Sequence, residues 1–357
     1  MKSARLHAFT DNVADIRIED LAIPEPGPGQ VRVRMLCSPV NPSDLNFVHG
    51  TYHSALQRII WNQQASDGKV FYDPARTNAC PQPPYALGGE GVGIVDACGS
   101  GFLAQRLRGQ RVAIAGGPPN GCWQEYTLVE AKKAVTMPDD IPDEQAAMFF
   151  VNPLTAYVLI REVLRVKRGD WVLLTAAGSA LGKSVVRMGR REGFKTLCVV
   201  RSGANTAELK ALGADAVIET ETQDLIGEVF RVTNGQGVPH ALDCVGGDLA
   251  GEVVRCLGMG GRLVIYGTLS NAPISIPGRD LMMPMAQISG FILPNWLAQQ
   301  SVLKLLGIIR AVKRMTREGM FHAEVTATFP LAEVAAAVAT SKQPGRTGKV
   351  LLRIGER

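Results

Sequence analysis

No Cys-x-x-Cys pair occurs in this chain of 357 residues, although it holds seven cysteines, at 37, 80, 98, 122, 198, 244 and 256. An odd, scattered set, partly inside apolar runs such as "TLCVV", argues against a disulfide framework and a clustered metal lobe, and for small buried thiols in a reducing compartment. Runs of like charge are also missing. Thirty-eight Lys and Arg stand against 33 Asp and Glu, for a net charge of +5, and their scatter leaves no basic stripe for nucleic acid. Aromatic residues are only 6 % of the chain. No apolar run approaches the roughly 18 residues that cross a bilayer, and "MKSARLHAFT" carries no signal core, so a cytoplasmic protein is expected.

What is present falls into two patterns. Up to about Pro138 the text is strand and turn, as in "GQVRVRMLCSPV", "EGVGIVDACG" and "GQRVAIAGG", closed by Gly and Pro. From about Asp143, strands and helices alternate: "WVLLTAA", "LGKSVVRMGRREG", "KTLCVVR", "TAELKALGA", "AVIET". The first pattern predicts a β-rich domain, and the second a parallel sheet of βαβ units. In the helix from Leu181, Leu181, Val185 and Met188 make one apolar face and Gly193 ends it. "GKVLLRI" near the C-terminus is expected to return to the first domain, so residues 1–138 and 320–357 form one domain and 139–319 the other.

"AAGSALGKS", residues 176–184, lies between a buried strand and an amphipathic helix, the setting of a dinucleotide-binding turn. Against G-x-G-x-x-G, its three positions hold Ala177, Ser179 and Gly182. Small residues there still let a pyrophosphate approach the helix N-terminus. The next strand ends in "VVRSG". An acidic residue at this point would bond a ribose 2′-hydroxyl, whereas Arg201, with Ser202 beside it, suits a 2′-phosphate, so the cofactor is expected to be NADPH.

The order of "NPSDLNFVHGTY", "LGGEGVGIV", "VNPLTAY", the Ala-Gly-Ser-Ala-Leu-Gly turn, "VVRSG", "LKALGAD", "LDCVGG", "LVIYG", "GFILPNW" and "GKVLL" resembles the zinc-independent medium-chain dehydrogenase/reductases. Within them it is most similar to NADPH-dependent trans-2-enoyl thioester reductases of the mitochondrial type, and next to quinone oxidoreductases. The resemblance implies a GroES-like domain built from both chain ends, a Rossmann domain between them, an active site in the cleft, and a homodimer paired across a Rossmann-sheet edge. It puts the proton donor at Tyr52 and the residue facing the nicotinamide at Asn152. Cofactor contacts fall on Ala177, Gly178, Ser179, Ala180, Gly182, Arg201, Ser202, Tyr266, Gly267, Thr268, Leu269, Phe291, Ile292, Leu293 and Lys349. Gly89 stands where zinc enzymes of this type carry a histidine, so no metal is expected.

Between Tyr52 and Gly88 lies an insertion longer than the relatives need by about two dozen residues, which reads either as a substrate-mouth loop or as a surface excursion. Asn41, Trp61, Phe71, Tyr72 and Trp296 are candidate substrate-lining residues, and Arg58 and Arg76 could meet an anion. Asp44 reads as a helix cap, and His49 and His53 as surface or packing residues. The expected reaction is conjugate reduction: hydride to the β-carbon of a carbonyl-activated alkene, then protonation of the enolate. An enoyl thioester on coenzyme A or an acyl carrier protein is the first candidate. A quinone or enone reductase, or a non-catalytic NADPH- or RNA-binding protein, stand as alternatives.

Overall fold

The computed structural model describes residues 1–52, 81–343 and 347–357. They divide into two compact units, Met1–Phe150 with Val325–Arg357, and Val151–Glu324. These divisions fall a short way C-terminal to the composition changes near 138 and 319.

The first unit is built mainly on antiparallel pairing, with Val325–Pro330 running parallel to Lys349–Arg353. Strand Gln30–Val40 is its spine: Val31, Val33 and Met35 are fully buried on one face, as its alternating pattern requires. It pairs with Glu90–Cys98, Tyr126–Glu130 and Lys349–Arg353, and the sheet extends outward to Val325–Pro330, Arg111–Ala115 and Ala134–Thr136. The C-terminal strand thus belongs to the unit that the N-terminus begins, as expected from "GKVLL". A second sheet joins Arg17–Asp20, Lys2–Leu6 and Tyr85–Ala86. Trp123 and Tyr85, both almost fully buried, anchor the core between these elements.

In the second unit six parallel strands run in the order 216–219, 195–200, 171–174, 238–243, 257–265, 287–290. This is the doubly wound order, which reverses direction beside the first strand and opens a crevice at the strand C-termini. Helix Ala180–Glu192 follows the first strand. Ser179 caps it by accepting from the Gly182 N–H at 3.1 Å, Leu181, Val185 and Met188 are buried, and Gly193 closes it in the left-handed region at φ 81°. Among the described residues, no helix is long and apolar enough to cross a membrane.

Candidate functional site

In the second unit, strand Trp171–Leu174 delivers the chain into the glycine-poor turn. Ala176 sits at φ 45°, in the left-handed region that favours glycine, and Ala177 is fully buried beneath the helix. Gly182 is the motif glycine that cannot be replaced: a Cβ there would lie 2.4 Å from the Ala177 carbonyl oxygen. Gly178 faces Asn205, whose amide nitrogen would stand 2.7 Å from an added Cβ. The Asn205 Oδ1 and Asn152 Nδ2 atoms are buried without a hydrogen-bond partner among the described residues. An unmet acceptor against the turn and an unmet donor at the expected nicotinamide position suit a polar ligand with groups to pair them. The residues present therefore fit a dinucleotide.

Lys183, directly after Gly182, does not reach into the turn. It is buried, and its ammonium lies 2.7 Å from Glu208, tying this helix to Thr206–Leu212. Arg201, 73 % exposed, stands at the end of its strand with its Nε 3.6 Å from Glu221. An exposed pair of this kind contributes less than about 1 kcal/mol, so the guanidinium can be taken over by a phosphate. Ser202 is half-buried beside it.

The third wall is the loop after strand Leu257–Ile265. Burial, with the Cys244 thiol beside it, holds the Tyr266 phenol well above its ordinary pKa, and the Cys244 S–H is directed at the Thr175 carbonyl. Gly267 allows the close approach, since a Cβ there would lie 2.9 Å from that of Cys244. Thr268 and Leu269 are exposed. Phe291 is buried, Ile292 exposed and Leu293 half-buried at the start of helix Leu293–Ala298, where the Lys304 ammonium sits 5.2 Å from the Trp296 ring centre.

One element was not foreseen. Thr175 and Asp243, at the C-terminal ends of adjacent strands, are fully buried. Asp243 also accepts from the N–H groups of Val245 and Gly246. The signal was the Asp in "LDCVGG", an ionisable residue ending an apolar strand.

In the first unit, "NPSDLNFV" forms a helix, Pro42–Val48, with Pro42 opening it and the Asp44 carboxylate accepting from the Asn41 N–H at 2.8 Å. The cap reading of Asp44 holds, and its other oxygen accepts from the Gly89 N–H, also at 2.8 Å. Gly50 turns the chain at φ 72°, where any Cβ would strike the Phe9 ring. Tyr52 follows, half-buried, with its ring edge-to-face against Phe47 at 5.1 Å. Burial raises the Tyr52 pKa, while the neighbouring Asn46 side chain acts in the opposite sense. Thr51 Oγ1 donates to Asn46 Oδ1 at 3.0 Å and so orients that amide. His49 donates to the Thr10 carbonyl and packs the helix end. Trp61, Phe71, Tyr72, Arg58, Arg76 and His53 lie outside the described residues.

Asn41 and Lys349 are brought together rather than left facing solvent. Lys349 donates to Asn41 Oδ1, Asn41 Nδ2 donates to Glu90 Oε1 at 2.9 Å, and the Phe150 N–H donates to Glu90 Oε2. All four side chains of this network, Asp44 included, are buried. Two carboxyls share a dry site with one ammonium, and burial pushes Asp44 up to about 7. Cys37, the thiol nearest "NPSD", is buried and pushed up to about 12, with its S–H on the Asp143 carbonyl. Among the described residues no group of three or more His, Cys, Asp or Glu is arranged to hold a metal ion.

Residues 27–139 match the alcohol dehydrogenase GroES-like domain and residues 180–309 the zinc-binding dehydrogenase domain. The mitochondrial enoyl-[acyl-carrier-protein] reductase of Xenopus tropicalis is 31 % identical over 345 residues, covering 94 % of this chain and 91 % of the relative. A solved structure from Bacillus thuringiensis, provisionally named NADPH:quinone reductase, is 32 % identical with a TM-score of 0.85, covering 99 % and 98 % of the two chains. Escherichia coli quinone oxidoreductase, solved with NADPH, shares the fold at a TM-score of 0.84 and 22 % identity, covering 99 % and 100 %.

Proposed function

The chain belongs to the medium-chain dehydrogenase/reductase family, and from that premise we propose that it is an NADPH-dependent oxidoreductase reducing an activated carbon–carbon double bond, with a trans-2-enoyl thioester as substrate class. The observation that carries this reading is the placement of Tyr52, half-buried and edge-to-face on Phe47, close to the Asn46 amide that Thr51 orients. Asn46 opposes the burial that raises this phenol's pKa and so favours the phenolate left after proton transfer, which suits Tyr52 to protonate or orient an enolate. NADPH supplies the hydride when bound. Ala177, Gly178, Ser179, Ala180 and Gly182 receive its pyrophosphate, Arg201 and Ser202 its 2′-phosphate, and Asn152 its nicotinamide side. Tyr266, Gly267, Thr268, Leu269, Phe291, Ile292 and Leu293 wall the site. Lys349 is assigned to the cofactor and Asn41 and Trp296 to the substrate side. Their buried or packed partners make Asn41 and Lys349 a fixed polar wall.

Metal independence is supported by the donor set: Gly89 offers no ligand side chain, and the Cys37 thiol is buried with its S–H on the Asp143 carbonyl. Six free cysteines among the described residues suit a reducing, cytoplasmic compartment. A homodimer is supported by the strand Gln287–Gly290, the outer edge of the six-stranded sheet, with Met259, Met282, Met283, Met285 and Ile292 exposed around it.

The test is hydride transfer from NADPH to a panel of enoyl thioesters, enones and quinones. Tyr52→Phe keeps the ring against Phe47 but removes the donor. Thioester turnover is expected to fall by about 10²-fold with NADPH affinity unchanged. Unchanged turnover removes Tyr52 from the chemistry, and quinones outperforming every thioester assign the chain to quinone reduction instead.

A further inference from the structure

The second unit carries a cationic recess that the proposed reaction does not use. Arg187, Arg190 and Arg191 lie on helix Ala180–Glu192 at i, i+3 and i+4, and so on one side of it. With Ala211, Leu212 and Met320 they line a recess of about 440 Å³.

The charges there do not cancel. Arg191 pairs with Glu318. Arg187, half-buried, donates through one nitrogen to the His322 carbonyl and has no carboxylate in ion-pair contact among the described residues. Glu208, which acts on it electrostatically, is engaged by Lys183. Arg190 makes no hydrogen bond or ion pair among the described residues, yet its stem is held in place: it lies across Gly213, where a Cβ would come 2.8 Å from Arg190 Cδ. A position in the last helical turn accounts for cations near the helix C-terminus. It does not account for two guanidiniums without acids converging on a recess floored by Leu212 and Met320. Planar forks with spare N–H donors match phosphate oxygens in a bidentate way.

We propose that this recess is a binding site for a phosphorylated anion, separate from the dinucleotide turn. Gly182 and Arg190 are eight residues apart on the same helix, about 12 Å at 1.5 Å per residue, so one phosphate cannot serve both. Arg187 and Arg190 supply the forks, and Leu212 and Met320 an apolar floor for whatever the phosphate is attached to.

Titration calorimetry of the full chain saturated with NADPH, so that the dinucleotide turn is filled, with sodium pyrophosphate against sodium chloride at equal ionic strength, tests it. Saturable binding at one site is expected. Arg190→Ala should weaken it by about ten-fold and Arg187→Gln with Arg190→Ala more, while Arg201→Ala, at the other anion position, leaves this binding in place. Arg190 is exposed and its loss leaves the core intact, so a melting curve superimposable on the parent's verifies the fold, and Arg190→Lys, which keeps charge without the fork, should bind weakly. No saturable binding above chloride, binding lost in Arg201→Ala and retained in the double variant, or equal binding in parent and double variant would each overturn the proposal.

Discussion

Thr175 Oγ1 donates to Asp243 Oδ1 at 2.6 Å, between side chains that no solvent reaches. The same hydroxyl accepts from the Cys244 N–H at 3.1 Å, so one threonine joins the C-terminal ends of two neighbouring strands beside the dinucleotide turn. Thr175→Val keeps the shape, removes one of the hydrogen bonds to a buried carboxylate that keeps those from Val245 and Gly246, and leaves the Cys244 N–H unpaired. Removing one partner of a buried charged hydrogen bond costs about 1–3 kcal/mol, so urea denaturation should show a loss of this size, with NADPH affinity falling as the turn loosens. An unchanged midpoint would show the network to be dispensable.

On the proposed reading, Arg201 sets the choice between the two nicotinamide cofactors. With its guanidinium exposed and only loosely faced by Glu221, NADPH should bind more tightly than NADH. Arg201→Ala should weaken NADPH by about ten-fold or more while barely moving NADH. Fluorescence titration of both cofactors reads this directly, and equal affinities in the parent protein would refute the assignment.

Asp44 makes stability depend on pH. Its folded pKa of about 7 lies above the ordinary carboxyl value near 4, so the folded chain holds a proton more tightly than the unfolded one. That contribution is complete below about pH 4 and is lost as pH rises through about 7. Glu90 opposes ionisation of Asp44 and Lys349 favours it, while Tyr52 and Cys122 face the same carboxyl. Melting temperature should therefore decline between pH 5 and 8 more steeply in the parent than in Asp44→Asn, whatever the absolute stability of the variant. Parallel profiles would mean that Asp44 is ionised throughout.

The exposed methionines at the sheet edge test the dimer. Met283 is 69 % exposed in the segment leading to Gln287–Gly290. Met283→Asp puts a charge into that apolar surface, which should shift the sedimentation of the protein from dimer to monomer without altering its circular dichroism. A parent protein that sediments as a monomer would exclude this pairing.

Local text carried much of this. Alternation in "QVRVRM" predicts a strand buried on one face, the 3.6-residue period from Leu181 to Met188 predicts the helix, and Ser179 and Gly193 mark its ends, because these signals depend only on nearest neighbours along the chain. The position of Arg201 at a strand end was legible for the same reason, and that position is what makes it the candidate for a 2′-phosphate. Lys349 and Asn41 are different. They are 308 residues apart, and their contact exists because the C-terminal strand pairs with Gln30–Val40. Thr175 and Asp243, 68 residues apart, meet only because the strand order sets their strands side by side. Nor does any local pattern say that Lys183 turns away from the dinucleotide turn to Glu208, or that Arg190 is left without an acid. A buried polar group is satisfied by whatever the folded chain brings within 3 Å of it, and that partner is chosen by packing between elements, not by the residues on either side.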